Sequence, residues 1–168
     1  LFRIDANGAV VPTFNPAPNS SVTILLRQPD GKILVAGSFG AIAGASRTYL
    51  ARLNADGTSD TAFNTALGSG PNNTISSLLL LPDGRIAVGG FFTAFNGAAG
   101  TSRLALLKAD GTLDTTFTSP ITNGSVTALA HQDGAQLLVG GTFTTFTQRF
   151  VRLSLAGVRD ANFAPAAT

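Results

Sequence analysis

Three short runs of consecutive apolar residues set the pattern of the chain: Ile33-Leu34-Val35-Ala36, Ile86-Ala87-Val88 and Leu137-Leu138-Val139. Strict alternation would describe strands with one wet face. Unbroken short runs describe strands covered on both faces. Each run ends at a glycine followed closely by phenylalanine, and Gly37, Gly90 and Gly141 stand 53 and 51 residues apart. The chain is therefore a repeat array. A β-rich segment precedes each run, over Val22 to Gln28, Ile75 to Leu81 and Val126 to Gln132. The turns between are Pro29-Asp30-Gly31, Pro82-Asp83-Gly84 and Asp133-Gly134. The third turn lacks the proline but gains Ala135, so Val22 to Gly37, Ile75 to Gly90 and Val126 to Gly141 all span 15 residues. Strands require such compensation, because a slip of one residue would turn every side chain to the wrong face.

A second motif follows each run. Leu50 to Phe63, Leu104 to Phe117 and Phe150 to Phe163 each place an apolar strand, a tight turn and a closing phenylalanine, and Leu1 to Phe14 is a fourth copy. Asn7-Gly8, Asp56-Gly57 and Asp110-Gly111 are strong hairpin signals; Ala156-Gly157 is weaker. The expected organisation is one array: a partial repeat over 1–14, full repeats over about 15–63, 64–117 and 118–163, and a tail at 164–168. Each full repeat is expected to hold four antiparallel strands, the fourth running from Thr58 to Phe63 in the first copy. No segment sustains a helical period. The expected fold is all-β, a propeller-like array of four-stranded repeats packed face to face. Three units of four strands also fit a β-trefoil.

Composition sharpens this picture. The 168 residues are 44% hydrophobic and only 12% charged, about half the usual charged share of roughly 25%. The nine acids are all aspartate, a turn residue, and there is no glutamate. Net charge is +2 with scattered basic residues, which is no nucleic-acid footprint. Without cysteine there is no disulfide frame or thiolate chemistry. No apolar stretch approaches a membrane span, so no membrane insertion is expected. The chain opens at Leu1 inside a repeat, and is expected to be a mature or excised piece of a longer polypeptide.

The segments Pro29 to Phe39, Pro82 to Thr93 and Arg52 to Phe63 together resemble the delta-60 repeats, a bacterial β-propeller-like family. The resemblance covers nearly the whole chain. It implies a propeller-type fold and a habitat in large secreted or surface-attached bacterial proteins. It brings no catalytic residues and no cofactor.

Candidate chemistry is sparse. The turns holding Asp56, Asp60, Asp110 and Asp114 weakly resemble calcium loops. Calcium needs six to eight oxygens, and these turns offer two carboxylates each without a bidentate glutamate. Hairpin turns with a capping aspartate are the simpler reading. His131, the one histidine, fills a slot held by Arg27 and Leu80 in the other repeats, as a tolerant strand position would. Glycosidase chemistry needs two carboxylates at a set distance, and every aspartate has a turn explanation. Asn19, Asn72 and Asn123 open three glycosylation sequons, but their regular place before each first strand points to repeated turn chemistry. The Phe91-Phe92-Phe95 and Phe143-Phe146 clusters suit inter-blade packing; Phe95 and Phe146 are the pair to test for stacking on a sugar. Expected, then, is a non-enzymatic structural or interaction module, extracellular or at the cell surface, without cofactor. Its partners would be neighbouring repeats, or further copies docking at the Leu1 and Phe163 ends. A glycan or surface protein held by loops 40–47, 93–102 and 144–147 is the alternative.

Overall fold

The computed structural model describes residues 1–163. The 164–168 tail lies outside them. The first repeat holds β1 (Val22–Arg27), β2 (Ile33–Gly37), a small β3–β4 hairpin (Ala41–Ile42 and Ala45–Ser46), β5 (Leu50–Leu53) and the helix α1 (Thr61–Ala66). The second holds β6 (Ile75–Leu80), β7 (Ile86–Gly90) and β8 (Leu104–Leu107); the third holds β9 (Val126–Gln132), β10 (Gln136–Gly141) and β11 (Phe150–Ser154). Each repeat is its own antiparallel sheet, in the orders β1-β2-β5, β6-β7-β8 and β9-β10-β11. Three separate sheets are not the single closed barrel of a trefoil, and that alternative falls.

The blades stack in chain order. Leu34, Ala36 and Leu50 of the first blade share a core with Ile86, Val88 and Ala105 of the second. Ala87, Leu104 and Leu106 on the opposite face of the second blade share another with Leu137, Val139 and Val151 of the third. The two-sided burial read from the apolar runs thus holds for β2 and β7. In β10 burial alternates instead, because no further blade covers Leu138 and Gly140 among the described residues. On the other side of the array, Leu1 of the 1–14 hairpin packs against Val35 and Leu53 of the first blade.

The fourth strand is a correction. After the Asn54–Gly57 turn the chain makes one bridge, Leu53↔Ser59, and Asp60 N donates to Arg52 O. It then turns away rather than running on to Phe63. The Asp60 carboxylate accepts from Phe63 N and starts α1, as an N-cap aspartate does. Asn64 on that helix pairs with both backbone groups of Arg52, so a side-chain amide completes the edge that a strand would have covered. The other repeats keep the single bridges Leu107↔Leu113 and Leu153↔Arg159, followed by a turn.

The strand-ending glycines have a steric cause. All three first strands bulge at one slot, at Thr23, Ser76 and Thr127. The bulge drives backbone toward the facing glycine. A Cβ at Gly37, Gly90 or Gly141 would lie 2.0, 2.4 or 2.0 Å from a carbonyl oxygen of Ser21, Thr74 or Ser125. The compensated third turn is also visible. Arg27↔Ile33, Leu80↔Ile86 and His131↔Leu137 are equivalent pairs, and Ala135, at φ 60°, takes the left-handed slot that Gly31 and Gly84 fill elsewhere.

Candidate functional site

Two groups of residues recur from blade to blade and carry most of the polar chemistry. One lies at the joints between blades, the other under the rim loops.

The first joint residue is an arginine on the third strand. Arg52 on β5 is sandwiched between its own blade and the next. Its Nε donates to Asp60 Oδ2 at 2.8 Å, and its guanidinium lies 3.9 Å from the Phe63 ring centre. Its Nη1 reaches Gln28 Oε1 at 3.3 Å and Ala109 O at 2.9 Å. Ala109 belongs to the turn of the second blade, so this arginine ties two blades together. The Phe63 ring covers the same turn: a Cβ on Gly111 would meet it at 2.8 Å. Arg3 and Phe14 repeat the device one blade earlier. Arg3 Nη1 donates to Ala55 O at 3.0 Å, and a Cβ on Gly57 would meet Phe14 at 3.0 Å.

The second blade carries an apolar version. Leu106 stands in the arginine slot and Leu81 in the glutamine slot, both buried. The turn they face is changed in step: Leu155 replaces alanine and packs against the same core. The carbonyl of Ala156 accepts from Thr118 N instead. The third blade returns to the first pattern. Arg152 donates to Asp160 through Nε and Nη2 and to Gln132 through Nη1, and lies 4.7 Å from the Phe163 ring centre.

These contacts account for the aspartates singled out from sequence. Burial alone would raise the Asp60 carboxyl, but hydrogen bonds from Lys32, Phe63 N and Arg52 outweigh it and hold it below its ordinary value. Asp114 is likewise lowered against burial, by Thr116 and Arg85. Asp56 and Asp110 accept from the hydroxyl and backbone N–H of Thr58 and Thr112, which lowers both. Asp56 and Asp60 thus serve different neighbours, as do Asp110 and Asp114. No three acidic or histidine side chains gather as metal ligands would among the described residues.

Under the rim, Asn19, Asn72 and Asn123 brace the loops after the second strands. Asn19 Oδ1 accepts from Gly40 N and Ala41 N. Asn72 Oδ1 accepts from Thr93 N and Ala94 N, while its Nδ2 donates to Thr93 Oγ1. Asn123 does the same for Thr144. The sequon asparagines are the loop scaffold itself, as their regular placing suggests.

The aromatic pair divides. Phe95 is 0% exposed and packs edge-on against Phe92 at 6.0 Å. A ring enclosed on all sides has no face for a sugar, so Phe95 leaves the ligand-binding set. Phe146 is half-buried, with Phe143 at its edge and the Arg159 guanidinium 4.9 Å from its centre. Phe91 is the exposed ring of this region; it follows Gly90 directly, which marked it in the sequence as leaving the strand. His131 sits on β9 opposite Leu137. The Arg–Phe joint was not singled out in the sequence, although Arg3, Arg52 and Arg152 each stand eleven residues before a phenylalanine.

Two open grooves lie along the first strands. One of about 510 Å³ touches Leu1, Pro18, Ser21 and Leu25; the other, about 390 Å³, lies between Thr23 and Ser38 of the first blade and Thr74 and Ser76 of the second. Neither is lined by an ionisable side chain.

Residues 28–63 and again 81–117 match the family described as "Domain of unknown function (DUF5122) beta-propeller". The two matches fall on equivalent parts of consecutive repeats, each from the residue before the turn proline to the joint phenylalanine. They support a β-propeller repeat family. No curated protein matches the chain.

Proposed function

We propose that the chain is a non-enzymatic structural and interaction module of a secreted or cell-surface bacterial repeat protein of the delta-60 kind. The observation that carries this reading is where the polar chemistry goes. Eight of the nine aspartates accept hydrogen bonds within turns or from joint cations. The two grooves along the first strands are lined by hydroxyls, backbone and apolar side chains, with no ionisable side chain. The asparagines spend their hydrogen bonds on fixing the rim loops. A rigid stack that presents variable loops suits recognition and spacing. Full absence of cysteine and a low charge content accord with an extracellular setting.

The test is turnover. Incubated with panels of glycosides, esters and peptides, the folded chain should release no more product than the heat-unfolded chain. Saturable turnover by the folded chain would overturn the reading. A second reading, capture of a glycan or a surface protein by the rim, rests on the exposed Phe91 ring beside loop 93–102. Glycan-array signal that disappears in Phe91→Ala, with an unchanged melting curve, would favour it.

A further inference from the structure

Arg47, in the rim loop of the first repeat, is half-buried with no counter-ion among the described residues. Arg52, Arg85 and Arg152 each pair with an aspartate. Arg47 instead crowds both Nη1 and Nη2 onto one acceptor, Gly68 O, at 2.8 and 2.6 Å. Its Nε is enclosed and donates to nothing among the described residues. A guanidinium carries five N–H groups, so this side chain keeps three unspent. Burial works against its charge, and no carboxylate offsets that. The arginine is particular to this repeat. Arg47 stands three residues after Gly44; three residues after Gly97 the second repeat has Gly100, whose carbonyl accepts from Ser119 N.

Arg47 lines an open groove of about 240 Å³, and the other polar residues of its walls are Ser46, Ser59, Thr61, Asn64 and Thr65. That is below the roughly 300–1,000 Å³ of sites for drug-sized ligands, and suits one small group. No acidic side chain lines it. Asp60, between Ser59 and Thr61 in sequence, is engaged by Lys32 and Arg52. Asp56 lines a separate groove that shares only Ser59 with this one. The hydroxyls are uncommitted. Ser46, Thr61 and Thr65 make no side-chain hydrogen bond among the described residues, and Ser59 Oγ accepts from Asn64 Nδ2 but keeps its own proton to donate. Elsewhere the hydroxyls of Thr58, Thr112 and Thr116 are spent on aspartates. The helix α1, which carries Thr61, Asn64 and Thr65, occurs in this repeat alone among the described residues. The 1–14 hairpin and the second blade flank the first blade on its two faces, so the groove does not lie at an end of the described array.

We propose that this groove binds a tetrahedral oxyanion, the phosphate or sulfate group of a monoester. Arg47 supplies the charge-assisted N–H donors. Ser46, Ser59, Thr61 and Thr65 supply hydroxyl donors, one from the rim loop and three from the segment leading into α1. One cation and four hydroxyls spread over two walls match three terminal oxygens that point apart, as on a phosphate, better than the two coplanar oxygens of a carboxylate. The site goes beyond the structural-module reading by giving the first repeat a ligand of stated chemistry, bound without being cleaved.

Methyl phosphate and methyl sulfate, titrated separately into the ¹⁵N-labelled 168-residue chain and followed by NMR, test it. Saturable shifts should gather on the backbone amides of residues 45–47 and 59–65 and on the Arg47 Nε–H. The ester that binds more tightly identifies the source of the group. Arg47→Gln keeps an amide donor for Gly68 O but removes the charge, and should weaken binding about 10- to 100-fold. Thr61→Glu is the second variant. An acid is favoured in the first turn of a helix, so the fold stands, but a negative charge at the groove should abolish binding. Arg27→Gln, at an exposed arginine on β1, should bind as the wild type does. The proposal is overturned by an absence of saturable shifts with both esters, by shifts spread alike over all basic residues, by acetate binding as tightly as the esters, or by unchanged affinity in Arg47→Gln. Those results would leave the non-enzymatic reading standing. Release of phosphate or sulfate from the esters faster than by the heat-unfolded chain would sink that reading and leave the binding site in place.

Discussion

Gly90→Ala and Gly140→Ala should move stability in opposite directions. Both glycines sit at the end of a second strand, and neither has a positive φ, so the outcome depends on space alone. At Gly90 the new methyl would lie 2.4 Å from Thr74 O and 2.9 Å from Ile75 Cα. Both obstacles are backbone, held by the β6–β7 ladder and its bulge, so neither can swing aside. Overpacking of this kind costs about 1–3 kcal/mol. For a chain of this size each kcal/mol lowers Tm by roughly 2–4 °C, so Tm should fall by about 2–12 °C. At Gly140 the nearest atom is Ala128 Cβ at 3.5 Å, an ordinary contact. The same methyl there should raise stability by about 0.5–1 kcal/mol, because glycine loses more backbone freedom on folding. Thermal melts by circular dichroism at low concentration read both values. Gly90→Ala melting with the wild type would refute the bulge-and-glycine account of the blade edge.

Three further outcomes follow from particular contacts. Asp60→Ala leaves the nearly enclosed Arg52 without its counter-ion and removes the α1 cap. It should cost about 3 kcal/mol in urea unfolding, and Asp160→Ala, whose pair is more open to water at 22% and 23% exposed, clearly less. Ala135→Gly relieves a left-handed alanine and should stabilise by about 1 kcal/mol, read as a Tm rise of roughly 2–4 °C. Asp60 and Asp114 have folded values below their ordinary 3.8, so the unfolded chain takes up protons first as pH falls. Their contribution is full above the ordinary carboxylate range and is lost as pH drops through the folded values; urea midpoints should be flat from pH 7 to about 5 and decline below about 4.

The sequence carried the blades and their order. Apolar runs without alternation announced two-sided burial, and the structure shows it at β7, between two blades, and at β2, between the second blade and the 1–14 hairpin. Strand register was legible even through the slipped third turn. The fourth strand was misread because Thr58 to Phe63 has a β-like composition, whereas the fate of that segment is set at long range. Asp60 is held by Lys32 and Arg52, and Asn64 takes over the β5 edge. Phe95 looked like a loop aromatic from its neighbours Asn96 and Gly97; Phe92 and the inter-blade core enclose it. The Arg–Phe joint stayed hidden for the same reason. Its acceptor is a backbone carbonyl of the next repeat, and carbonyls leave no mark in sequence.

The central claim is that successive repeats stack face to face as blades. Gly89 on β7 and Val126 on β9 meet across the second and third blades; a Cβ on Gly89 would lie 3.1 Å from Val126 Cβ. Disulfides want about 3.8 Å between Cβ atoms, and replacing valine by cysteine frees the room for that shift. The chain has no cysteine of its own, so Gly89→Cys with Val126→Cys reports on this pair alone. Under mild oxidation the account predicts a near-complete disulfide within the monomer, seen as a mass loss of two hydrogens and full protection from alkylation. Free thiols, or cross-links only between molecules, would contradict the stacking of the blades.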